Sequence, residues 1–362
     1  MSYVMTLFFA AFSSLARLYV DTEAHCAVVR RRSLLTDVLE LYGTADILSK
    51  SLKISFDGET GDDFGGLTKE MFTYFWSEAY KSYFRGENCK VPFLPLYRFR
   101  KESGSFVAIG RVLTHMASLA QSVPCLIARS SYINMIFRDS PDDDCLLADL
   151  LLFVTESERK LLRQALHSFN SLTDKSIEDL TEFFVQNGFM ELPKAAVIHQ
   201  QIVDIAHDIL VTKAEPFLAL MRKGIPDSHI DSFWSQVTTS DLEALIKLQR
   251  PSPDRVAAGL RMSVDEPRPE ESAVFYFLTQ FVKGLSSEEL QAFLQFVTGS
   301  IDMPLSGISV SFFGTSAAGR HVVAHTCSNT IEISTAYSTF QEFRREVLKI
   351  ISDEHCFEFS LV

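Results

Sequence analysis

The sequence has few cysteines and no closely spaced pair of them. No two of its six cysteines follow a C-x-x-C spacing, and none lies in a compact cluster with histidines. Zinc modules and disulfide scaffolds need such clusters, so neither class is expected. Reduced thiols are typical of a cytoplasmic or nuclear protein, which is the location we predict. The cysteines occupy positions 26, 89, 125, 145, 327 and 356.

An excess of positive charge is also missing. The chain has 34 Lys and Arg residues against 46 Asp and Glu residues, so its formal net charge is −12. An acidic chain gains little from contacts with phosphates, and we therefore expect no nucleic-acid partner. The triplet 30–32, three arginines, is too short to change this expectation and is interpreted as a solvated face.

No apolar run is long enough to be a clear membrane span, which needs about twenty predominantly apolar residues. The most apolar stretch, residues 4–20, is interrupted by Ser13, Ser14 and Arg17, and no basic region precedes it. We predict a packed helix for the segment 1–27, with a signal or anchor as the alternative. A membrane partner is not expected.

The chain does have enough apolar residues for a sizeable core, 47% of 362. Helical spacing dominates up to about residue 260, with a strand-like run at 52–56. The stretch 263–272 has two prolines and four acidic residues and predicts an exposed linker. Short strand-like runs at 308–313, 321–324 and 331–333 follow, between helical patterns at 286–297 and 338–351. The pattern predicts an α+β fold with a mainly helical domain joined to a small α/β domain.

Several helix starts have the capping-box pattern, in which Ser or Thr precedes an acidic residue or Gln by three positions. Gly188 lies where one of these helices is expected to end. The four predicted pairs are Ser176 with Asp179, Ser240 with Glu243, Ser286 with Glu289, and Ser338 with Gln341.

One short segment has the residue types for nucleophilic chemistry, namely 325–329, which reads His-Thr-Cys-Ser-Asn between two predicted strands. A thiolate is a nucleophile, and adjacent polar groups can orient a carbonyl or stabilise its oxyanion. From the residues alone, a single cysteine between strands such as Cys327 is more often a small core residue. A metal site with His321 and His325, and a cysteine hydrolase with a distant histidine, remain alternatives. The acidic residues at 139 and 142–144 suggest a helix N-terminus, with calcium as the alternative.

Two blocks in this chain resemble those of the HECT-type ubiquitin ligases. The first is Phe56 to Phe72, which resembles the family pattern FxGExGxDxGGxxRExF. This block predicts a tight glycine turn followed by a helix, and it lacks the Lys-Ser/Thr ending of a phosphate loop. The second comprises 294–299, LQFVTG, then Pro304, Gly307 and the cysteine loop 325–329. The resemblance covers roughly residues 28 to 362.

The resemblance implies a bilobal fold. Its expected parts are the helical segment 1–27, an N-lobe over 28–262, a hinge over 263–272 and a C-lobe over 273–362. It further implies that Cys327 accepts ubiquitin as a thioester from a conjugating enzyme and passes it to a substrate lysine.

The resemblance also assigns supporting residues and partners. His325, Thr326 and Asn329 would support the loop, and Phe359, fourth from the end, would act in the second transfer. No cofactor or metal is implied, and the partners would be ubiquitin, a conjugating enzyme and a protein substrate. Ser328 stands where the family has Phe, and the segment after the loop lacks the family's proline. A catalytically weak or inactive HECT-like scaffold that binds ubiquitin or a conjugating enzyme is therefore the alternative.

Overall fold

The three-dimensional structure is a computed structural model that describes residues 3–19, 23–59, 62–314 and 321–352. Helices dominate and strands are short, which confirms the expected α+β class. The helices are α1 Tyr3–Ala16, α2 Leu34–Leu41, α3 Gly66–Tyr83, α4 Leu96–Leu119, α5 Arg129–Tyr132, α6 Asp143–Phe153, α7 Glu156–Ser168, α8 Asp174–Gln186, α9 Ile198–His207, α10 Glu215–Lys223, α11 Asp227–Ser232, α12 Thr239–Gln249, α13 Pro253–Gly259, α14 Pro269–Lys283, α15 Ser287–Thr298 and α16 Phe340–Ile351. The strands are β1 Ala24–Val29, β2 Ser51–Phe56, β3 Phe84–Arg85, β4 Val91–Pro92, β5 Leu260–Met262, β6 Ile308–Phe313, β7 Val322–His325 and β8 Thr330–Ser334.

The chain forms two compact units, each made of separate stretches of sequence. The first contains residues 1–76, 112–123 and 244–362, and the second contains 77–111 and 124–243. The lobe boundaries expected from the sequence stay predictions.

The C-terminal part of the first unit contains a four-stranded sheet in the order β5-β6-β8-β7. Strands β5, β6 and β8 run parallel, and β7 is antiparallel to β8. Helices α14, α15 and α16 cover it with an aromatic cluster in which the Phe343 ring lies 6.0 Å from Phe281 and 5.1 Å from Tyr337. Burial of such rings is a large apolar contribution, so this core holds the hairpin β7–β8 firmly.

The predicted linker 263–272 is only partly irregular. Strand β5 lies just before it and pairs with β6, and residues 263–268 then carry no helix or strand. Helix α14 begins at Pro269 because proline is favoured at the first helical position and acidic residues are favoured in the first turn. The Glu271 carboxylate accepts a hydrogen bond from the backbone N–H of Arg268 at 2.8 Å. Proline and acidic residues thus mark a helix start here as well as a connector.

Of the four predicted capping boxes, the pair Ser286 and Glu289 is confirmed at the start of α15. The predicted caps Ser176 and Ser240 lie three and two residues after the observed ones, and Ser338 lies one residue before the observed cap of α16. Thr173, Thr238 and Thr339 accept the capping hydrogen bonds of α8, α12 and α16. The N-cap needs extended backbone, which Thr173 and Thr339 have. The sequence pattern does not reveal which of several neighbouring hydroxyl residues adopts that conformation.

The N-terminal helix α1 packs through its apolar face, but the predicted helical segment 1–27 is not helical throughout, since residues 24–27 belong to strand β1. Phe8, Ala11, Phe12 and Leu15 are buried. No helix in the described ranges is both long and apolar enough to cross a membrane.

The arginine triplet is not simply a solvated face, so that interpretation is wrong for Arg31. Its guanidinium lies 4.0 Å from the centroid of the Phe56 ring and pairs with Glu59 at 2.5 Å and Glu70 at 2.8 Å. Burial raises the pKa of Glu70 to about 7, although Arg31 opposes this shift. The pairing of β1 with β2 brings Arg31 close to Phe56 and Glu59, and helix α3 contributes Glu70, which the sequence of the triplet could not show.

The second unit is mainly helical, and the acidic run at 142–144 lies at a helix N-terminus, as predicted. The Asp142 carboxylate accepts a hydrogen bond from the backbone N–H of Cys145 at 2.7 Å and caps α6. Gly188 follows the end of α8 with a φ of +91°, a conformation that favours glycine.

His229 in α11 is 4% exposed, and burial lowers its pKa from 6.5 to about 4. The unfolded chain therefore binds a proton at a higher pH than the folded chain does. We expect stability to fall as the pH drops from 6.5 to 4, by up to about 3 kcal/mol from this residue. Urea unfolding of the wild type and of His229→Gln across this range measures it, with the exposed His199→Gln variant as control. If acid lowered the free energy of unfolding by the same amount in the wild type and in both variants, the prediction would be wrong.

Candidate active site

The cysteine loop is the tight turn of the hairpin β7–β8. His325 ends β7 and pairs with Thr330 in β8, so four residues, 326–329, make the turn. The backbone N–H of Ser328 donates to the His325 carbonyl at 3.1 Å, and Asn329 has a φ of +51°, which asparagine tolerates better than most residues. The Ser328 hydroxyl donates to the His325 carbonyl at 3.2 Å and to the Thr330 hydroxyl at 2.9 Å. These bonds close the turn and fix Cys327 at its tip.

Cys327 is exposed, and this distinguishes it from most of the other thiols. Among the cysteines that the structure describes, Cys26 is also exposed, whereas Cys89, Cys125 and Cys145 are buried. Burial raises the pKa of the Cys145 thiol to about 11, which disfavours its reactive thiolate form. Cys327 is therefore accessible to a large reaction partner in a way that the buried thiols are not.

The two histidines of the candidate metal site lie at different places. His325 Nε2 is 3.4 Å from the Glu332 carboxylate, on the neighbouring strand. His321 precedes β7, at its other end, where its ring lies 4.5 Å from the Phe313 ring. Within the described ranges no group of three or more His, Cys, Asp or Glu side chains could hold a metal ion. The proposed convergence of His321, His325 and Cys327 is therefore not found.

The glycine block forms a tight turn before α3, as its composition predicts. Gly58 and Gly65 have φ values of +81° and +100°, and residues 60 and 61 lie outside the described ranges. The Asp63 carboxylate accepts hydrogen bonds from the backbone N–H groups of Ile54 at 2.8 Å and Gly65 at 2.7 Å. It also accepts one from the Thr68 hydroxyl at 2.5 Å. Asp63 thus ties the turn to β2 and fixes where α3 starts.

The start of α3 contacts the cysteine loop directly. The Lys69 ammonium donates to the Thr326 carbonyl at 3.2 Å and to the Asn329 side-chain oxygen at 3.0 Å. Burial lowers the pKa of Lys69, because a charged amine is poorly solvated here, while Cys327 has the opposite effect. Thr326 is buried and Asn329 is half-buried, so the loop is held from this side through two of its four residues.

A second contact lies one turn further along the same face of α3. The Thr73 hydroxyl donates to the carbonyl of Gly299 at 3.0 Å. Gly299 ends α15 with a φ of +72°, the left-handed conformation typical of a glycine after a helix. A Cβ atom on Gly299 would also lie 3.1 Å from the carbonyl oxygen of Gly66, so the LQFVTG segment lies against the glycine block and the residue that follows it.

An open cavity of about 300 Å³ lies beside Cys327. Cys327 and Asn329 line it together with Phe64, Gly65 and Lys69 of the glycine block. The remaining lining residues come from the end of α4 and the residues after it, from the last residue of α12, and from the end of α15 and the segment after it: Met116, Leu119, Ala120, Gln121, Ser122, Gln249, Thr298, Ser300, Asp302, Met303, Pro304, Leu305 and Ser306. The cavity gives a flexible peptide segment room to approach the thiol.

Gly66 makes the close approach of α3 and the loop possible. A Cβ atom at this position would lie 2.2 Å from the Thr326 hydroxyl oxygen. We expect Gly66→Ala to cost about 1–3 kcal/mol of folding free energy, the usual range for overpacking. The double variant Gly66→Ala with Thr326→Ala should recover part of that loss, because the clashing oxygen is gone. Urea unfolding of both single variants and the double variant measures this coupling, and strictly additive losses would contradict it.

The structure brings some of the predicted site residues together and not others. It brings Cys327, Thr326 and Asn329 together in one turn and places His325 at its edge, with a side chain directed to Glu332. Phe359 lies outside the described residues. Sequence reasoning did not single out Asp63, Gly66 or Lys69 as site residues. All three residues lie in the glycine block, which the sequence did reveal. The sequence does not indicate which other segment that block contacts in the folded protein.

Comparisons with known proteins agree with this arrangement. A family model described as HECT-domain (ubiquitin-transferase) matches residues 69–360. The chain is 24% identical to the Probable E3 ubiquitin-protein ligase TOM1 of Eremothecium gossypii, over 90% of this chain and 11% of that protein. It is also 24% identical to the E3 ubiquitin-protein ligase hecw-1 of Caenorhabditis elegans, over 90% of this chain and 28% of that protein.

A plant relative is equally similar. The chain is 24% identical to the E3 ubiquitin-protein ligase UPL2 of Arabidopsis thaliana, over 92% of this chain and 10% of that protein. The chain thus spans well under a third of the length of these three relatives. Because the family model covers most of the chain, and the cysteine loop and the LQFVTG segment lie inside the match, this chain belongs to the HECT-domain family of ubiquitin transferases.

Proposed function

We propose that this protein is a ubiquitin-protein ligase in which Cys327 carries ubiquitin as a thioester. The observation that carries the proposal is an exposed cysteine at the tip of a tight hairpin turn, within the part of the chain that matches the family model. Its partners would be ubiquitin, a ubiquitin-conjugating enzyme and a protein substrate.

The proposed reaction has two acyl transfers. The Cys327 thiolate attacks the thioester carbonyl between ubiquitin and the conjugating enzyme; a new C–S bond forms and the conjugating enzyme leaves as a thiolate. A substrate lysine then attacks the new thioester as a neutral amine: a C–N bond forms, the C–S bond breaks, Cys327 leaves as a thiolate, and the nitrogen releases a proton to solvent to give the isopeptide. Thioester exchange changes the bonding little, so the main contribution of the ligase is to position the reacting groups. Thr326 and Asn329 support the loop, and the cavity beside Cys327 leaves room for the ubiquitin tail.

A charging assay tests the proposal. The protein is incubated with activating enzyme, a panel of conjugating enzymes, ubiquitin and ATP, and adducts are separated with and without a thiol reductant. A reductant-sensitive band of one added ubiquitin is the expected result. A protein that binds ubiquitin or a conjugating enzyme but forms no such band with any member of the panel would be the HECT-like scaffold instead.

Phe359 is proposed to act after the thioester has formed, in transfer to lysine. An aromatic side chain can provide a transient apolar anchor at modest entropic cost. We expect Phe359→Ala to keep the Cys327 adduct and the melting temperature while the single-turnover rate of lysine transfer falls. A buried core aromatic behaves differently, since its loss costs about 3–5 kcal/mol. If Phe359→Ala has a clearly lower melting temperature and loses both transfer rates equally, the role of Phe359 is structural.

The stretch 263–272 is proposed to act as a hinge that lets Cys327 face first the donor and then the acceptor. Its irregular part, 263–268, is largely exposed, so a substitution there disturbs little packing. Replacing residues 264–267 with a rigid multi-proline segment should slow transfer while binding of the conjugating enzyme persists, and it keeps the Arg268 N–H that donates to Glu271. Unchanged rates of both transfers would remove the hinge from the mechanism.

A further inference from the structure

The Lys69 amine and the Cys327 thiol line the same cavity. The amine is held 3.2 Å from the carbonyl oxygen of Thr326, the residue directly before Cys327, and 3.0 Å from the side-chain oxygen of Asn329, two residues after it. Lys69 is the one lysine among the described residues that line this cavity. A primary amine is therefore fixed beside the group that would carry an activated acyl chain.

We propose that Lys69 is an intramolecular acceptor for the acyl group on Cys327, so that the protein modifies itself at this residue. The inference rests on the proposed function, because it needs a thioester on Cys327. It adds an acceptor inside the site and a means of switching the ligase off. Ubiquitin attached to Lys69 would remain in the cavity beside the emptied cysteine and would obstruct the next ubiquitin tail.

The step is an S-to-N acyl shift that needs no further reagent. The Lys69 ammonium first loses a proton to solvent. The neutral amine attacks the thioester carbonyl, a C–N bond forms and the C–S bond breaks. The Cys327 thiolate leaves with the electron pair of the C–S bond, and the attacking nitrogen releases its second proton to the buffer. The products are an isopeptide at Lys69 and a free thiol at Cys327.

Three features of the site favour this shift. The two groups belong to one chain, so the reaction is first order and profits from a high effective concentration. Both hydrogen-bond acceptors of the Lys69 amine are neutral oxygens, and neither is a carboxylate that would hold the ammonium form. Burial also lowers the pKa of Lys69, which increases the share of the neutral, nucleophilic amine. The two terminal glycines of ubiquitin are flexible enough to turn the carbonyl towards the nitrogen.

The test uses the whole chain and a ubiquitin mercaptoethanesulfonate thioester, which charges a thiol without any conjugating enzyme. After charging, thiol treatment removes the thioester, and mass spectrometry of tryptic peptides locates the glycine–glycine remnant on lysines. Lys69→Arg is the matched variant, because it keeps a cation and hydrogen-bond donors beside the loop but cannot be acylated. Cys327→Ala serves as the control for direct acylation of lysine by the reagent.

We expect the remnant on Lys69 of the wild type, at a rate that does not change when the protein is diluted. In Lys69→Arg, which lacks the acceptor, the thiol-resistant self-adduct per thioester present should fall at least about tenfold. In Cys327→Ala, which lacks the acyl carrier, the self-adduct per molecule of protein should fall by a similar factor. A charged Cys327 with no remnant on Lys69, or an undiminished Lys69 remnant in Cys327→Ala, overturns this inference and leaves the proposed function standing. Failure to charge Cys327 from the reagent and from every conjugating enzyme rejects both.

Discussion

Serine in place of Cys327 is expected to carry ubiquitin through an ester that survives thiol treatment, and alanine is expected to carry no ubiquitin. A serine hydroxyl forms an oxygen ester that thiols cleave slowly and hydroxide cleaves readily, whereas alanine has no nucleophile. Both replacements are small, and residue 327 is exposed, so neither should disturb the core. The change in adduct chemistry therefore reports on the reacting atom and not on folding.

Cys26 provides the matched control for this experiment. It is the other exposed cysteine in the described part of the chain, and Cys26→Ala should keep the thiol-sensitive band at the level of the wild type. Gel analysis after dithiothreitol, and separately after dilute hydroxide, distinguishes the thioester from the ester. A thiol-sensitive band that persists in Cys327→Ala would assign the chemistry to a different cysteine and refute the proposed site.

Alanine at Gly110 is expected to destabilise the second unit severely. Helices α4 and α10 approach so closely that a Cβ atom on Gly110 would lie 1.9 Å from the carbonyl oxygen of Met221. Gly224 makes the reciprocal approach, with a Cβ position 2.1 Å from the carbonyl oxygen of Val107. Both clashes are with backbone, which no side-chain rotation can relieve, so we expect a loss of about 3 kcal/mol or more, at the upper end for overpacked sites.

Gly104 in the same helix is the control for the helical propensity of the new alanine. A Cβ atom there has no neighbour within 4 Å, so Gly104→Ala should be neutral or stabilise the protein by up to about 1 kcal/mol. Circular dichroism during urea unfolding measures both variants against the wild type. A Gly110→Ala protein as stable as the wild type would show that the two helices do not approach each other this closely.

Short-range patterns predicted the elements of this fold well. The strand-like runs near 52–56, 308–313 and 331–333 are strands, and the helix starting after Ser286 has the predicted capping box. Alternation of apolar residues and capping depend on neighbours within a few positions, so a single sequence contains that information. Where several hydroxyl residues stand together, as at 238–240, the pattern gave the helix but not its first residue.

Residues whose surroundings come from distant segments were predicted poorly. Arg31 looked like part of a solvated basic triplet, yet it contacts Phe56 and pairs with Glu70, 39 positions away. Pro269 looked like part of a linker and is the first residue of a helix. An arginine can be solvated or partly buried, and a proline can lie in a linker or start a helix. The local sequence does not distinguish between these environments.

By itself the sequence determined the family, the α+β class and the cysteine loop, because those depend on residue types at fixed local spacings. It also predicted the tight turn at the glycine block, since glycines with positive φ are needed there. Only the tertiary structure decided that this block lies against the loop, with Lys69 bonded to Thr326 across 257 positions of chain. Such a contact depends on how strands and helices pack between the two segments. Gly66 illustrates the physical reason. Nothing in the neighbouring sequence shows that this position must be glycine. The requirement arises only because Thr326 occupies the space that a Cβ atom would need.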